Sequence, residues 1–264
     1  QIKVISTTTS FAHTYRPVDV ENLRWVTQQK IVGATSTSRF GYSISMNQNE
    51  SVMVVGGLVY NSDQGAIWIY HKTGLVWSLH TAFRQATGLS GTSYQGTSVD
   101  IWDSTIVVGA PAFSSNLGCT IVYEYDGISQ WYQKQVLSGT GASATAQQGI
   151  SVSIHGDTIA VGGAGDSSSV GATWIFVRNS SGLYTQQGNK LVGTAVAGIG
   201  LQGYSVSLWG DSVAIGGPLE NTNIGAVWVF TRNAGTWSQQ GSKITASGSI
   251  RSALRFGFSV SLQR

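Results

Sequence analysis

At 264 residues, of which 41% are hydrophobic, the chain is long enough to bury a substantial core. Only 10% of the residues are charged, and 15 cations against 12 anions leave a net charge of +3, which is too dilute for a nucleic-acid-binding surface. No apolar run approaches the roughly 18 residues of a membrane span, so membrane insertion is not expected, and the lone Cys119 rules out an intrachain disulfide.

The first 39 residues read as three strands: QIKVIS, a weak AHTYR, and RWVTQQKI from Arg24. From Phe40 the chain repeats itself. FGYSISMNQNESVMVVGG is followed by QGTSVDIWDSTIVVGA from Gln95, QGISVSIHGDTIAVGG from Gln148 and QGYSVSLWGDSVAIGG from Gln202, and a truncated FGFSVSLQR ends the chain. The leading glycines Gly41, Gly96, Gly149, Gly203 and Gly257 lie 53 to 55 residues apart, the regularity of a repeat architecture.

Each unit predicts four strands. In the first, as in Gly203 to Leu208, apolar residues alternate with serine at period two. The second is a β-branched run ending in two small residues, such as Ala214-Ile215-Gly216-Gly217. A seven-residue linker leads to the third, such as Gly225-Ala226-Val227-Trp228-Val229-Phe230. The fourth opens with an aromatic residue and often carries glutamines, as in YTQQGNKL and WSQQGSKI. No useful length shows a helical period.

The expected fold is therefore all-β: a five-bladed β-propeller of four-stranded antiparallel blades, forming a single domain over 1–264. The blades span about 40–94, 95–147, 148–201 and 202–255, with 256–264 joining 1–39 to close the ring. All nine Trp fall at repeat-related places: Trp68, Trp174 and Trp228 on third strands, Trp25, Trp77, Trp131 and Trp237 on fourth strands, and Trp102 and Trp209 in the turns after first strands. They are expected between blades, and Cys119, standing where other repeats have Ala, is expected to be buried. The sequons at Asn49 and Asn179 fall in predicted hairpin turns and favour an extracellular or cell-surface location.

These residues resemble the FG-GAP repeat of integrin-α-like propellers. The FG pair stands at Phe40-Gly41 and Phe256-Gly257, the GAP triplet at Gly109-Ala110-Pro111, and a variant at Gly216-Gly217-Pro218. The resemblance spans essentially the whole chain and is to the short-loop form of the repeat. Calcium-binding members place several acidic residues between first and second strands, whereas WDS, HGD and WGD here supply one carboxylate each, Asp103, Asp157 and Asp211. No metal site and no cofactor are expected.

Glycoside-acting propellers need facing carboxylates near the axis. The first strands offer Ser45, Ser153, Ser207 and Ser261, with only Asp100 acidic and Glu124 on a third strand. His13, His71, His80 and His155 occupy unrelated repeat positions. On these grounds the chain is expected not to be an enzyme, and loops on a rigid scaffold become the natural seat of function. Arg39, Arg84, Arg251 and Arg255 precede first strands of neighbouring blades, where a guanidinium arc would bind an anionic glycan or an acidic protein segment. The expectation is a recognition or adhesion module for glycan or protein. The alternative is a structural or assembly subunit of a surface coat, filament or larger surface protein.

Overall fold

The computed structural model describes residues 29–33, 38–83, 85–196, 198–246 and 254–263. By internal contacts the chain divides between Lys30 and Ile31, and every sheet described below belongs to Ile31–Arg264. The described residues form four antiparallel sheets, each of four consecutive strands. Sheet one holds β1 (Ser43–Met46), β2 (Val52–Gly57), β3 (Ala66–Thr73) and β4 (Val76–Phe83). Sheet two holds β5 (Val99–Trp102), β6 (Thr105–Ala110), β7 (Cys119–Tyr125) and β8 (Trp131–Leu137). Sheet three holds β9 (Ser151–His155), β10 (Thr158–Gly163), β11 (Ala172–Arg178) and β12 (Tyr184–Gln186). Sheet four holds β13 (Ser205–Trp209), β14 (Ser212–Gly217), β15 (Ala226–Asn233) and β16 (Thr236–Gln239).

The period-two alternation decides which neighbour each side chain meets. Val54, Ile67 and Ile69 share a core with Ile106, Val108, Ile121 and Tyr123 of sheet two. Their alternates Val107 and Val122 instead face Ile159, Val161, Trp174 and Phe176 of sheet three. Ala160 and Ile175 in turn meet Ile215, Trp228 and Phe230 of sheet four. The core is thus a series of layers between successive sheets, and the first strands β1, β5, β9 and β13 lie side by side.

The repeated motif is the joint between sheets. Ser43, Ser98, Ser151 and Ser205 each donate a hydroxyl proton to the carbonyl of the next repeat's leading glycine, Gly96, Gly149, Gly203 and Gly257, at 2.7–2.9 Å. A Cβ on Gly56, Gly109, Gly162 or Gly216 would lie only 1.8–2.2 Å from that same carbonyl oxygen, so glycine is what lets the backbones approach. One step further along, Ser153 and Ser207 accept from the N–H groups of Leu208 and Leu262, while Asp100 accepts from that of Ile154.

The seven-residue linkers form a turn that the sequence reading did not foresee. Asn61-Ser62-Asp63, Ser114-Ser115-Asn116, Ser167-Ser168-Ser169 and Asn221-Thr222-Asn223 each place three consecutive residues in the left-handed region. Short polar side chains tolerate that conformation best, which was the available signal. Carbonyls at the end of the turn receive the entry of the next repeat: Tyr94, Gln147, Leu201 and Arg255 donate their N–H groups to Asp63, Asn116, Ser169 and Asn223.

Several expectations change. Four sheets rather than five are formed among the described residues. QIKVIS, AHTYR and most of RWVTQQKI lie outside them, as does Trp25. FGFSVSLQR docks on sheet four through the Ser205–Gly257 and Ser207–Leu262 bonds and a parallel Gly225–Phe256 bridge, yet it enters no ladder there. The fourth strands YTQQGNKL and WSQQGSKI stop at Gln186 and Gln239, because Gly188 and Gly241 turn left-handed, and pairing resumes only as single bridges at Leu191 and Ile244. Trp68, Trp131, Trp174 and Trp228 are buried as expected, but Trp77, Trp102 and Trp237 are half-buried and Trp209 is exposed. Cys119 is fully buried, and desolvation pushes its thiol up to about 12.

Candidate functional site

Two repeated backbone features meet at the end of the first strands where the long connections lie. One is the third residue of the left-handed turn, Asp63 or Asn116. The other is the residue before the Gln-Gly or Phe-Gly pair, represented by Arg39, Tyr94, Gln147, Leu201 and Arg255, all five of which have φ between 48° and 56°. Because that residue's backbone is committed, its side chain is free to face solvent.

Around sheets one and two these side chains line an open cavity of about 480 Å³, with Arg39, Tyr42, Asp63, Tyr94, Asn116 and Gln147 among its walls. A neighbouring hollow of about 580 Å³ shares Tyr94 and Asn116 and adds Ser90, Thr92 and Ser114. Arg39 is exposed, Tyr42 is 56% exposed, and neither Arg39 nor Asp63 has an ion-pair partner among the described residues. A guanidinium, a carboxylate, amides, hydroxyls and two phenols thus border one concavity. Such a lining suits a polyhydroxylated ligand, with Tyr faces for its C–H surface and Arg39 for an acidic substituent.

Of the other predicted arginines, Arg255 occupies the position equivalent to Arg39 and is exposed beside Phe258, itself 50% exposed. Arg84 and Arg251 lie outside the described residues. Asn49 and Asn179 are both exposed in turns, where their side-chain oxygens accept backbone N–H bonds from Ser51 and from Ser181 and Leu183.

Asp100 is held between sheets one and three. Ser45 and the Ile101 N–H donate to one carboxylate oxygen, Ser153 and the Ile154 N–H to the other. Burial raises its pKa, against the opposing pull of those four bonds. Glu124, on β7, is buried and ion-paired with Lys134 of the adjacent β8 and, across the junction with sheet three, with Arg178.

Two buried ion pairs went unnoticed in the sequence. Lys190 meets the fully buried Asp166 at 2.5 Å, and Lys243 meets the fully buried Glu220 at 2.6 Å. Burial works against ionisation of Asp166, but bonds from Lys190, the Ser143 N–H and the Ser167 hydroxyl outweigh it and hold the carboxyl below its usual range. The corresponding acid positions in sheets one and two are Tyr60 and Phe113, so only the repeat alignment could have revealed the pairs. The fourth-strand glutamines have a role that the sequence did not show: Gln133, Gln186 and Gln239 accept the N–H groups of Thr87, Thr140 and Thr194, pinning the connections that lead into sheets two, three and four.

No known protein family and no curated protein matches the chain. Among solved structures it is similar to a candidate 6-phosphogluconolactonase from Bacteroides uniformis, with a TM-score of 0.52 and 13% identity. The match covers 77% of this chain and 54% of that one, so this chain spans about half the length of its structural neighbour. At that identity the likeness concerns the fold alone. It nonetheless corrects the expectation that the chain is not an enzyme: a protein named for catalysis is built on a similar arrangement of sheets, so a shortage of facing carboxylates on the first strands excludes no activity.

Proposed function

We propose that the chain is a recognition module of the FG-GAP type, a five-bladed propeller completed by its N-terminal strands, whose long-loop end binds an acidic glycan at an extracellular surface. The observation that carries this reading is the open cavity in which Arg39, with no ion-pair partner among the described residues, stands beside the exposed Tyr42. The docking of FGFSVSLQR on sheet four in the manner of every other first strand supports the fifth blade. Two exposed sequon turns support the extracellular setting, and among the described residues no helix is long and apolar enough to cross a membrane.

The test is an array of sulfated and uronate-bearing glycans probed with wild-type protein and with Arg39→Ala and Tyr42→Ala. Salt-sensitive binding that falls about tenfold in Arg39→Ala is expected, in line with loss of one charge-assisted pair. A blank array, or binding indifferent to both substitutions, would overturn the reading. Hydrolysis of 6-phosphogluconolactone is measured on the same preparation, since the neighbour's name denotes that activity. Turnover abolished by Arg39→Ala would make the cavity an active site for an anionic sugar derivative.

A further inference from the structure

The other ends of the first strands carry a feature independent of the loop-end cavity. At the hairpin turns that leave β5, β9 and β13, an aromatic ring recurs at one repeat position as Trp102, His155 and Trp209. The rings run in contact: centroids lie 4.0 Å apart for Trp102–His155 and 4.4 Å for His155–Trp209, and the two indoles meet edge-on at 6.2 Å. Gly210 donates its N–H to His155 Nδ1 at 3.2 Å, which fixes the imidazole and leaves the proton of its neutral form on Nε2.

This row is not core. Trp174 and Trp228 are fully buried and donate their indole N–H groups to the Thr140 and Thr194 carbonyls. Trp209, by contrast, is 37% exposed, Trp102 is half-buried, and among the described residues neither indole N–H has a protein acceptor. Exposed indole surface rigidly backed by other rings has no packing role that a smaller turn residue could not fill, as Asn47 does at the same position in sheet one. Beside Trp209 lies an open cavity of about 400 Å³, walled also by Asp211, Ser212, Leu262 and Gln263.

We propose that this row is a second binding site, taking the apolar face of a neutral sugar ring on Trp209. A pyranose presents a flat C–H face to an indole and a rim of hydroxyls to polar neighbours. Here the rim finds the Trp209 indole N–H, the Gln263 amide and the Ser212 hydroxyl. Asp211 is neutralised by Arg232, whose Nε and Nη2 both reach one carboxylate oxygen at 2.6 Å, so the cavity favours an uncharged ligand over an anionic one. The rings pack on one another rather than around an empty centre, which excludes the cage geometry that would select an organic cation.

The experiment is a neutral-glycan array together with tryptophan emission titrated with cellobiose, lactose and diacetylchitobiose, each to about 50 mM, a range that captures weak single-ring stacking. Binding on the array and a saturable emission change are expected, with affinity falling about tenfold or more in Trp209→Ala, less in Trp209→Phe, and not at all in Arg39→Ala. A blank neutral array with no saturable change overturns the proposal, as does unaltered affinity in Trp209→Ala. Should Trp209→Ala fail to fold, Gln263→Ala is read in its place, and wild-type affinity there overturns the proposal equally. Because Arg39→Ala separates the two ends, loss of acidic-glycan binding and loss of neutral-sugar binding are distinguishable outcomes.

Discussion

Gly162→Ala tests the joint between sheets three and four. Gly162 lies inside β10 and its φ is not left-handed, so alanine is conformationally acceptable there and only space is at issue. The added Cβ would sit 2.0 Å from the Gly203 carbonyl oxygen and 2.3 Å from Ser151 Oγ. Bringing the first contact to a tolerable distance requires the sheets to part by about 1 Å, which forfeits much of the local dispersion energy. It also stretches the 2.7 Å hydrogen bond from Ser151 to Gly203. Overpacking at ~1–3 kcal/mol plus a lost bond at ~1 kcal/mol sums to about 3 kcal/mol. For a chain of this size that lowers the thermal midpoint by roughly 6–12 °C. Ser151→Ala removes the bond alone and should cost ~1 kcal/mol. Gly156→Ala is the opposite control: nothing lies within 4 Å of its Cβ, but φ is +56°, so it should cost about 1–2 kcal/mol by backbone strain alone. Thermal and urea unfolding of the three variants decide the matter. If Gly162→Ala stays within about 1 kcal/mol of wild type, close backbone approach is not what holds the sheets together.

The remaining predictions probe buried charge and titration. Lys190→Val strands the fully buried Asp166 and should cost about 3 kcal/mol or more, whereas the pair Asp166→Phe with Lys190→Val, which copies Phe113 and Val136 of sheet two, should be near neutral in urea unfolding. His71 accepts the Trp131 indole N–H at 3.1 Å and stacks at 4.1 Å on His80, with Tyr125 edge-on to both and Lys72 beside it in β3. Burial first, and His80 second, hold the His71 pKa below 6.5, so the unfolded chain takes up the proton first as pH falls. Stability is therefore complete above about pH 6.5, declines down to the folded pKa and is flat beneath it, and His71→Gln should flatten the thermal midpoint measured between about pH 7.5 and 4.5. Cys119 should resist a thiol reagent in the native protein and react once denatured, and Cys119→Ala, matching the fully buried Ala66, Ala172 and Ala226, should cost no more than ~1 kcal/mol.

Strand order and the faces of strands were legible because period-two alternation is a local code: Ile67 and Ile69 face sheet two, whereas Trp68 and Tyr70 lie on the opposite face with Ile31 and Phe40. The small-residue pairs ending second strands were equally visible, although the reason for glycine at the first position of each, a neighbouring carbonyl about 2 Å from a hypothetical Cβ, exists only between repeats. The ends of β12 and β16 were misjudged because a glycine inside a glutamine run reads as a tolerable interruption until its φ is known. Trp102 and Trp209 were taken as core because tryptophan usually is; a turn position can hold an indole in contact with other rings and still leave it wet. The Asp166–Lys190 pair was missed because nothing local marks two residues 24 positions apart as partners.

The joint and the rim obey different constraints, and this division gives the fold its functional latitude. Arg39, Tyr94, Gln147, Leu201 and Arg255 share one backbone conformation, and in the last four the N–H is spent on the carbonyl of the preceding turn. Anything that docks there must accept a left-handed φ at about 1–2 kcal/mol, whatever its side chain. The chain meets that cost repeatedly with residues as different as Tyr, Gln, Leu and Arg, so the side chain is not what the joint selects. A position whose backbone is fixed by the architecture and whose side chain is left free is where recognition chemistry can change without unfolding the sheets. The unequal rim follows directly. Around sheets one and two it combines Arg39, Tyr94 and Gln147 about one polar cavity, while the same position before sheet four is filled by the apolar Leu201. Repetition of the joint therefore does not imply five equivalent sites; it supplies one rigid frame on which a single distinctive arc can be written.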